Sequence, residues 1–305
     1  MQVPEISYLK REQVDIVKWD RCIDQASNGL IYSYSYYLDH MAMHWDALVM
    51  EDYQVVMPLT WNKKYGIYYL YQPPFTASLG IFGNNLNEGV IESFIKAIPS
   101  KYRLTEISLN FGNNFSYPPG FSLVRTNYIL PMNTSYIELY NGYRENIRRN
   151  VKKSQLLETR YSNDVPISSI IDLARKQMLG VLRIKEADYL RLEELYNVLK
   201  KRNLAIACGV YLAEQLVASA VYFYSHNRAY YILVGNHPNG KTIGASHYLI
   251  DRFIYDHSGK DLILDFEGSD IRNLAFFYSS FGAVIELYPA IRINKLPWWI
   301  KLLRR

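Results

Sequence analysis

The apolar pattern of this chain passes twice through one order of elements, and few folds accommodate such a repeat. Residues 11–27 and 33–44 have helical spacing, the second opened by Ser33 or Ser35 as N-cap. Asp46–Met50 turns at Glu51-Asp52 into Tyr53–Trp61, a hairpin pattern, and the run Gly66–Tyr71 stops at Pro73-Pro74. A helix over 87–98 puts Ile91, Phe94, Ile95 and Ile98 on one face, and strands follow at Leu104–Leu109 and Phe121–Leu130. The second half opens with a basic helix over 141–157, then helices over 166–179 and 186–202. Ile206–Leu212 and Leu216–Tyr224 form a hairpin around Ala213-Glu214-Gln215, and Ala229–Val234 is a third strand. A glycine-containing turn leads to a helix over 241–256, a buried strand Leu262–Phe266 and a helix over 271–280. Val284–Leu287 and Ala290–Ile293 then close the sheet. Both halves read two helices, a hairpin, a third strand, a helix and a fourth strand. The pattern repeats although the letters do not. It predicts an α/β (α+β) protein of two tandem domains, 1–140 and 141–305, divided in the polar stretch between Pro131 and Arg144. Each domain is expected to be a mixed, mostly antiparallel sheet flanked by helices.

Length and composition agree. The 305 residues suffice for two domains, and 49% apolar with 21% charged residues supports a packed core. The net charge of +5 is mild and spread out, so it suits anionic ligands without marking a nucleic-acid-binding protein. The 28 tyrosines fit a lined cleft, and equally a bias of composition. Cys22 and Cys208 give neither a disulfide framework nor zinc spacing. His40 and His44 are spaced for a metal on a helix but have no third ligand nearby, so no metal site is expected. The opening MQVPEISYLKREQ lacks the apolar core of a signal peptide. No apolar run approaches the roughly 18 residues of a membrane span. The expectation is a reduced, cytoplasmic setting. No G-x-S-x-G, Walker or paired-cysteine motif is present, which disfavours serine hydrolysis, NTP hydrolysis and thiol redox chemistry.

Three features between Gly209 and Ala283 stand out. A hairpin and third strand end in AYYILVG. Lys241, Gly244 and Ser246 precede the helix HYLIDRFIYD, where a glycine backbone and unpaired helix amides can face an anion. In DFEGSDIRNLAFFYSSFGA, Tyr278 is followed four residues later by Gly282, a fitting helix C-cap. Together these resemble the GNAT acyltransferases. The third feature and the helix YRENIRRNVKKS resemble one branch, the tandem-domain, FemAB-like Fem-type aminoacyltransferases, as does the loop PPFTASLGIF. Ile271 stands where the wider family opens the helix with Asn, and no long coiled-coil insertion is present.

The resemblance implies a donor held between the third and fourth strands of the second domain. It is either acyl-CoA or an aminoacyl-tRNA, with no tightly bound cofactor, and the missing Asn favours the tRNA. Val234, Lys241, Ile243, Gly244, Ala245 and Ser246 are the candidate donor-binding residues. Tyr278 is the candidate general acid for the leaving group. Asp265 and Glu267 lie one residue apart at a strand end and so point to opposite faces. Glu267 is the candidate base or amine-orienting group, and Asp265 a candidate substrate contact. Arg144, Arg148 and Lys152 share a helix face, with Arg149 and Lys153 beside them, a stripe suited to phosphate-rich ligands. His237 is a further candidate contact, or a plain turn residue. The acceptor is expected to be an amine, on a cell-wall precursor or another small molecule. The first domain has Pro73-Pro74 in place of the glycine turn and is expected to be a degenerate copy that shapes the acceptor cleft. A second function fits the same residues: a non-catalytic GNAT-like protein that binds a ligand or partner. The C-terminal KLPWWIKLLRR suits weak peripheral membrane contact or packing of Trp298 and Trp299 on a domain.

Overall fold

In a computed structural model, residues 5–113, 122–178, 184–268 and 270–296 are described. The aromatic, basic C-terminal segment after Leu296 lies outside them, as does Ser269. The chain forms two compact units: one runs to Arg125 and resumes at Leu287, the other is Thr126–Glu286.

Unit 1 contains β1 (Ile6–Lys10), α1 (Ile16–Gln25), α2 (Ser35–Met41), β2 (His44–Met50), β3 (Val55–Lys64), β4 (Ile67–Leu70), β5 (Phe82–Gly83), α3 (Glu88–Ala97) and β6 (Tyr102–Ser108). The helix expected over 11–27 begins later, because the Asp15 carboxylate accepts hydrogen bonds from the amides of Val17 and Lys18 and caps α1 there. Asn87 caps α3 through the Val90 amide. Neighbouring strands run β1-β2-β3-β4-β6, all antiparallel except the β4/β6 pair, and β5 adds to β3. Ile91, Phe94 and Ile98 are buried against this sheet, with Ile95 partly so.

Unit 2 contains most of β7 (Ser122–Pro131), then α4 (Tyr136–Asn141), α5 (Glu145–Leu156), β8 (Arg160–Ser162), α6 (Ile167–Met178), α7 (Glu186–Lys201), β9 (Ala205–Leu212), β10 (Gln215–Ser225) and β11 (Arg228–Asn236). It continues through α8 (Pro238–Ile243), α9 (Ala245–His257), β12 (Ile263–Asp265) and α10 (Arg272–Ser279) to the start of β13 (Val284–Asn294). The strand order β7-β12-β11-β10-β9-β8 is antiparallel except for β11/β12. Each unit therefore repeats a strand, two helices, a hairpin, a third strand, a helix and a parallel fourth strand. The fold is α/β with mixed, mostly antiparallel sheets flanked by helices.

Several elements differ from the pattern in the sequence. The opening strands β1 and β8 are short edge strands, and β8, with three residues, is too short for a periodicity to show. The helix expected over 141–157 is α5, which starts later, at Glu145, and a separate short helix, α4, precedes it. The turn expected before residue 241 is the helix α8, opened by His237 as N-cap with Pro238 at its first position. The last two strands are one, β13, and its residues Ala290–Asn294 pair with β6 in unit 1. Conversely, Ile129–Pro131 of β7, from the first half of the sequence, pair with β12 in unit 2. The compact units accordingly divide at 125/126 and 286/287, where the sequence placed one division at 140/141.

The core of unit 2 is heavily aromatic. Tyr222 on β10 stacks on Phe253 of α9 at 3.8 Å, and both are fully buried. This contact fixes α9 on the sheet and so sets where its first turn lies. Phe253→Ala is expected to lower the stability of unit 2 by about 3–5 kcal/mol through cavity formation, read from the urea midpoint. A loss below about 1 kcal/mol would show that the stack does not anchor α9.

Candidate functional site

The sheet of unit 2 opens between its parallel strands. Arg228, Ala229 and Tyr230 of β11 pair with Ile263, Leu264 and Asp265 of β12, and there the pairing ends. β11 continues to Asn236, paired on its other side with β10 throughout. Three rings stand where the strands part. Tyr278 of α10 stacks on Phe266 at 4.6 Å, and Tyr231 meets both edge-on at 6.0 and 6.4 Å. Gln177 of α6 accepts a hydrogen bond from the Asn236 amide at 2.6 Å at the far end of β11.

Unit 1 closes its corresponding gap with its own chain. β4 stops at Leu70, and the following loop returns so that the Leu79 amide donates to the Ser108 carbonyl at 2.8 Å. The Gln72 side-chain oxygen accepts from the Ser108 amide, and its side-chain nitrogen donates to the Thr76 carbonyl. Asn28, Asn110 and Asn113 all donate to the Ile81 carbonyl and fix the rest of this loop. The open fork is a property of unit 2.

Glu267 lies at the end of the fork, just past β12. Its backbone is left-handed, φ +66°, as is that of Gly268 at +83°. Such a φ is strained for a residue with a side chain and persists only when neighbours enforce it. The Asp265 carboxylate accepts from the Glu267 amide at 2.9 Å, and the Asn127 side-chain oxygen from the Gly268 amide at 2.6 Å. Burial raises the Glu267 pKa well above the ordinary carboxyl range. Burial, and then the Glu267 charge, raise that of Tyr278. The two candidate catalytic residues are thus brought within electrostatic reach of each other, on separate elements.

Asp265 is placed differently from the substrate contact expected of it. One oxygen accepts from Asn127 and from the Glu267 amide, and the other pairs with Arg228 at 2.8 Å. Arg228 also grips Glu286 through both terminal nitrogens, at 3.0 and 2.6 Å. Burial opposes the Arg228 charge, and the hydrogen bond to Glu286 and the charges of both acids outweigh it. Sequence reasoning missed Arg228, Asn127 and Glu286. The one available signal was an arginine opening the otherwise apolar run RAYYILV.

The turn after β11 is less open than the motif implies. The Asn239 amide donates to the His237 ring, those of Gly240 and Lys241 to the His237 carbonyl, and that of Gly244 to the Gly240 carbonyl. Gly244 is left-handed at φ +76°, and a Cβ there would lie 2.5 Å from the Asn150 carbonyl of α5. Its bare backbone thus serves the approach of α5. Ala245 is buried, Ile243 packs on the core, and Ser246 donates to the Asn236 side chain at 2.5 Å. Val234 is half-buried on the part of β11 beyond its pairing with β12, Lys241 is exposed, and His237 acts as the α8 N-cap. Lys153 donates to the Thr242 carbonyl at 2.8 Å, tying α5 to α8. The Arg144 guanidinium lies 4.8 Å from the Phe276 ring. Arg149 and Lys152 are exposed, Arg148 is half-buried, and the three make no ion pair among the described residues.

His247, in the first turn of α9, was also missed. Its ring meets Phe277 edge-on at 5.0 Å, and its Nδ1 is sealed from solvent without a partner among the described residues. Burial lowers its pKa from 6.5 to about 4. Ser246 bonds to β11 while His247 packs on α10, so this turn links those two elements.

No protein-family model and no curated protein matches the sequence. Solved structures do match its fold. FemX aligns over 98% of this chain and 99% of its own, with TM-score 0.67 and 12% identity. A tandem GNAT protein from the clavulanic acid biosynthesis pathway aligns over 96% and 99%, with TM-score 0.53 and 9% identity. L-PGS from Bacillus licheniformis aligns over 85% and 87%, with TM-score 0.52 and 12% identity. The chain therefore has the tandem GNAT fold. Among the described residues no helix is long and apolar enough to cross a membrane, and no group of three or more metal-ligating side chains occurs.

His247 gives a pH prediction. The unfolded imidazole gains its proton near pH 6.5 and the folded one only near 4, so stability falls on acidification across that window. The loss amounts to at most about 3 kcal/mol. Asp251, raised to about 6 by burial, acts in the opposite sense and is unchanged by a substitution at 247. His247→Leu should flatten the acid loss in unfolding free energies measured from pH 7 to 4.5. An unaltered slope would mean that the imidazole is not held neutral.

Proposed function

We propose that unit 2 transfers an acyl or aminoacyl group to an amine acceptor, with the donor's acyl arm in the fork between β11 and β12. The observation that carries this is the three-residue limit of β11/β12 pairing. It leaves strand backbone open beside Tyr278 and Glu267. The fold's association with acyl transfer adds weight.

Acyl transfer asks for a neutral amine, a polarised carbonyl and a proton for the leaving group. In this reading, the amine lone pair attacks the carbonyl carbon and forms the new C–N bond. Glu267, its carboxylate made more basic by burial, takes the amine proton. Tyr278, kept protonated by its own raised pKa, gives its proton to the departing oxygen or sulfur as the old ester bond breaks. Proton return from Glu267 to the tyrosinate through solvent restores both groups.

Of the two donors, we favour an aminoacyl ester on tRNA. A coenzyme A pyrophosphate would need the amides of the turn, and those of Asn239, Gly240, Lys241 and Gly244 are bonded within the chain. The Cβ side of Gly244 is packed on α5. Arg144, Arg148, Arg149 and Lys152 offer cations suited to a phosphodiester backbone. The acceptor in this reading is an amine-bearing small molecule or cell-wall precursor. The closed turn equally suits a non-catalytic binding protein, and the same experiment separates the two.

Thermal shift with coenzyme A and acetyl-CoA is expected to be silent, while charged tRNA binds and donates its aminoacyl group to amine acceptors. Strong stabilisation by coenzyme A would reverse the donor assignment, and binding without turnover on any acceptor would leave the binding protein. Tyr278→Phe should lower kcat by roughly 10²–10⁴-fold with donor affinity near wild type. Wild-type turnover in this variant would remove the acid role. Replacing Arg148 and Lys152 by alanine should weaken tRNA binding and reduce its logarithmic salt slope by up to about 1.5.

A further inference from the structure

We propose that Asn127 and Arg228 are positioning residues, which set the direction of the Glu267 carboxyl by forcing the Glu267–Gly268 corner into left-handed backbone. The catalytic consequence rests on the transferase reading above, whereas the geometry does not.

The corner is held from two sides. Asn127 uses its side-chain oxygen Oδ1 twice, accepting from the Tyr128 amide at 2.8 Å and from the Gly268 amide at 2.6 Å. Its nitrogen donates to Asp265 at 2.9 Å and to Glu286 at 3.4 Å. Asp265 holds the Glu267 amide, and Arg228 holds Asp265. Glu286 completes the frame by accepting from both terminal nitrogens of Arg228. All four carboxylate oxygens of Asp265 and Glu286 accept a hydrogen bond from Asn127 or Arg228. Asn127, Arg228 and Asp265 are buried, so water does not substitute for a missing partner. A bidentate guanidinium between two acids is a rigid part, because its planar fork fixes angles as well as distances.

This frame explains why a glutamate adopts φ +66° at the end of a strand. Two amides one residue apart, Glu267 and Gly268, are drawn to two acceptors that are themselves immobile. In extended backbone successive amides point to opposite sides. The left-handed corner turns both towards the frame, and the Glu267 side chain is left on the side of Tyr278. Removing one acceptor releases the strain and lets the side chain rotate away. Asn127 and Arg228 do not themselves meet the reacting atoms in this account.

The test is the titration of the Glu267 carboxyl by ¹³C NMR in full-length protein, with Glu267→Gln to identify its signal. In the wild type it should titrate above the ordinary carboxylate range. Asn127→Ala should bring it down by at least about one pH unit as the carboxyl reaches water. Arg228→Lys, which keeps the charge and loses the fork, should shift it in the same direction and serves if Asn127→Ala does not fold. An unmoved titration in a folded variant overturns the inference. Kinetically, Asn127→Ala should lower kcat roughly 10- to 100-fold with little change in KM. In a Glu267→Gln background it should have almost no further effect. Full additivity of the two losses would also overturn it. Should the wild type transfer no acyl group at all, the transferase reading fails and the titration alone decides the positioning role.

Discussion

A buried ion pair at the root of the fork governs the architecture of unit 2. Arg228 opens β11, Asp265 ends β12, and their side chains join the two strands along the whole length of their pairing. Such a pair adds little net stability over well-packed apolar residues, but losing one partner leaves an uncompensated charge and costs about 3–5 kcal/mol. Its role here is geometric. It fixes the last residue at which β11 and β12 stay together, and Phe266, Glu267 and Gly268 depart from that point. Neighbouring parallel strands otherwise share hydrogen bonds along their common length. A defined end to the pairing needs a defined cause, and the chain supplies it with one guanidinium and two acids.

The two units put one topology to different use. In each, a third strand runs parallel to a fourth after an intervening helix. In unit 1 the segment after β4 folds back, with Gln72 and three asparagines satisfying its carbonyls and amides. Buried backbone polar groups must find partners, and there the partners are internal. In unit 2 the segment after β11 becomes α8 and leaves the edge of Tyr231–Asn236 beside aromatic rings. The contrast follows from short stretches of sequence. Pro73-Pro74 breaks strand pairing just after β4. His237-Pro238 starts a helix just after β11.

Much of this was legible before the structure. Hairpins announced themselves through alternating apolar residues, and α3 through Ile91, Phe94 and Ile98 at helical spacing. Glu267 could be nominated because a strand end is a local signal, and Tyr278 through the resemblance to the GNAT acyltransferases, although the C-cap of α10 is Ser280 and not Gly282. What stayed hidden was non-local or too short to be periodic. Arg228 and Glu286 meet 58 positions apart in the chain, and no window of sequence contains both. β8 has three residues. The exchange of β7 and β13 between units is a matter of pairing partner, and two strands of similar pattern give no local sign of which partner each will take. Gly244 was recognisable as a special glycine, although its reason is the nearby Asn150 carbonyl.

The division between exposed cations and buried rings bears on how any ligand of unit 2 would be distinguished. Arg149 and Lys152 lie in solvent, where a charge is screened beyond a Debye length of about 8 Å at physiological salt. Contacts of that kind gather anionic ligands and speed encounter while discriminating poorly among them. Tyr231, Phe266 and Tyr278 are closely packed and shielded from water. A group inserted among them must match their shape and satisfy whatever polar atoms it buries. Selectivity in such a site therefore belongs to the root of the fork, where the ring positions and the Glu267 corner are set by the same few hydrogen bonds. A change to that frame would alter which group is accepted before it altered how strongly the surface attracts it.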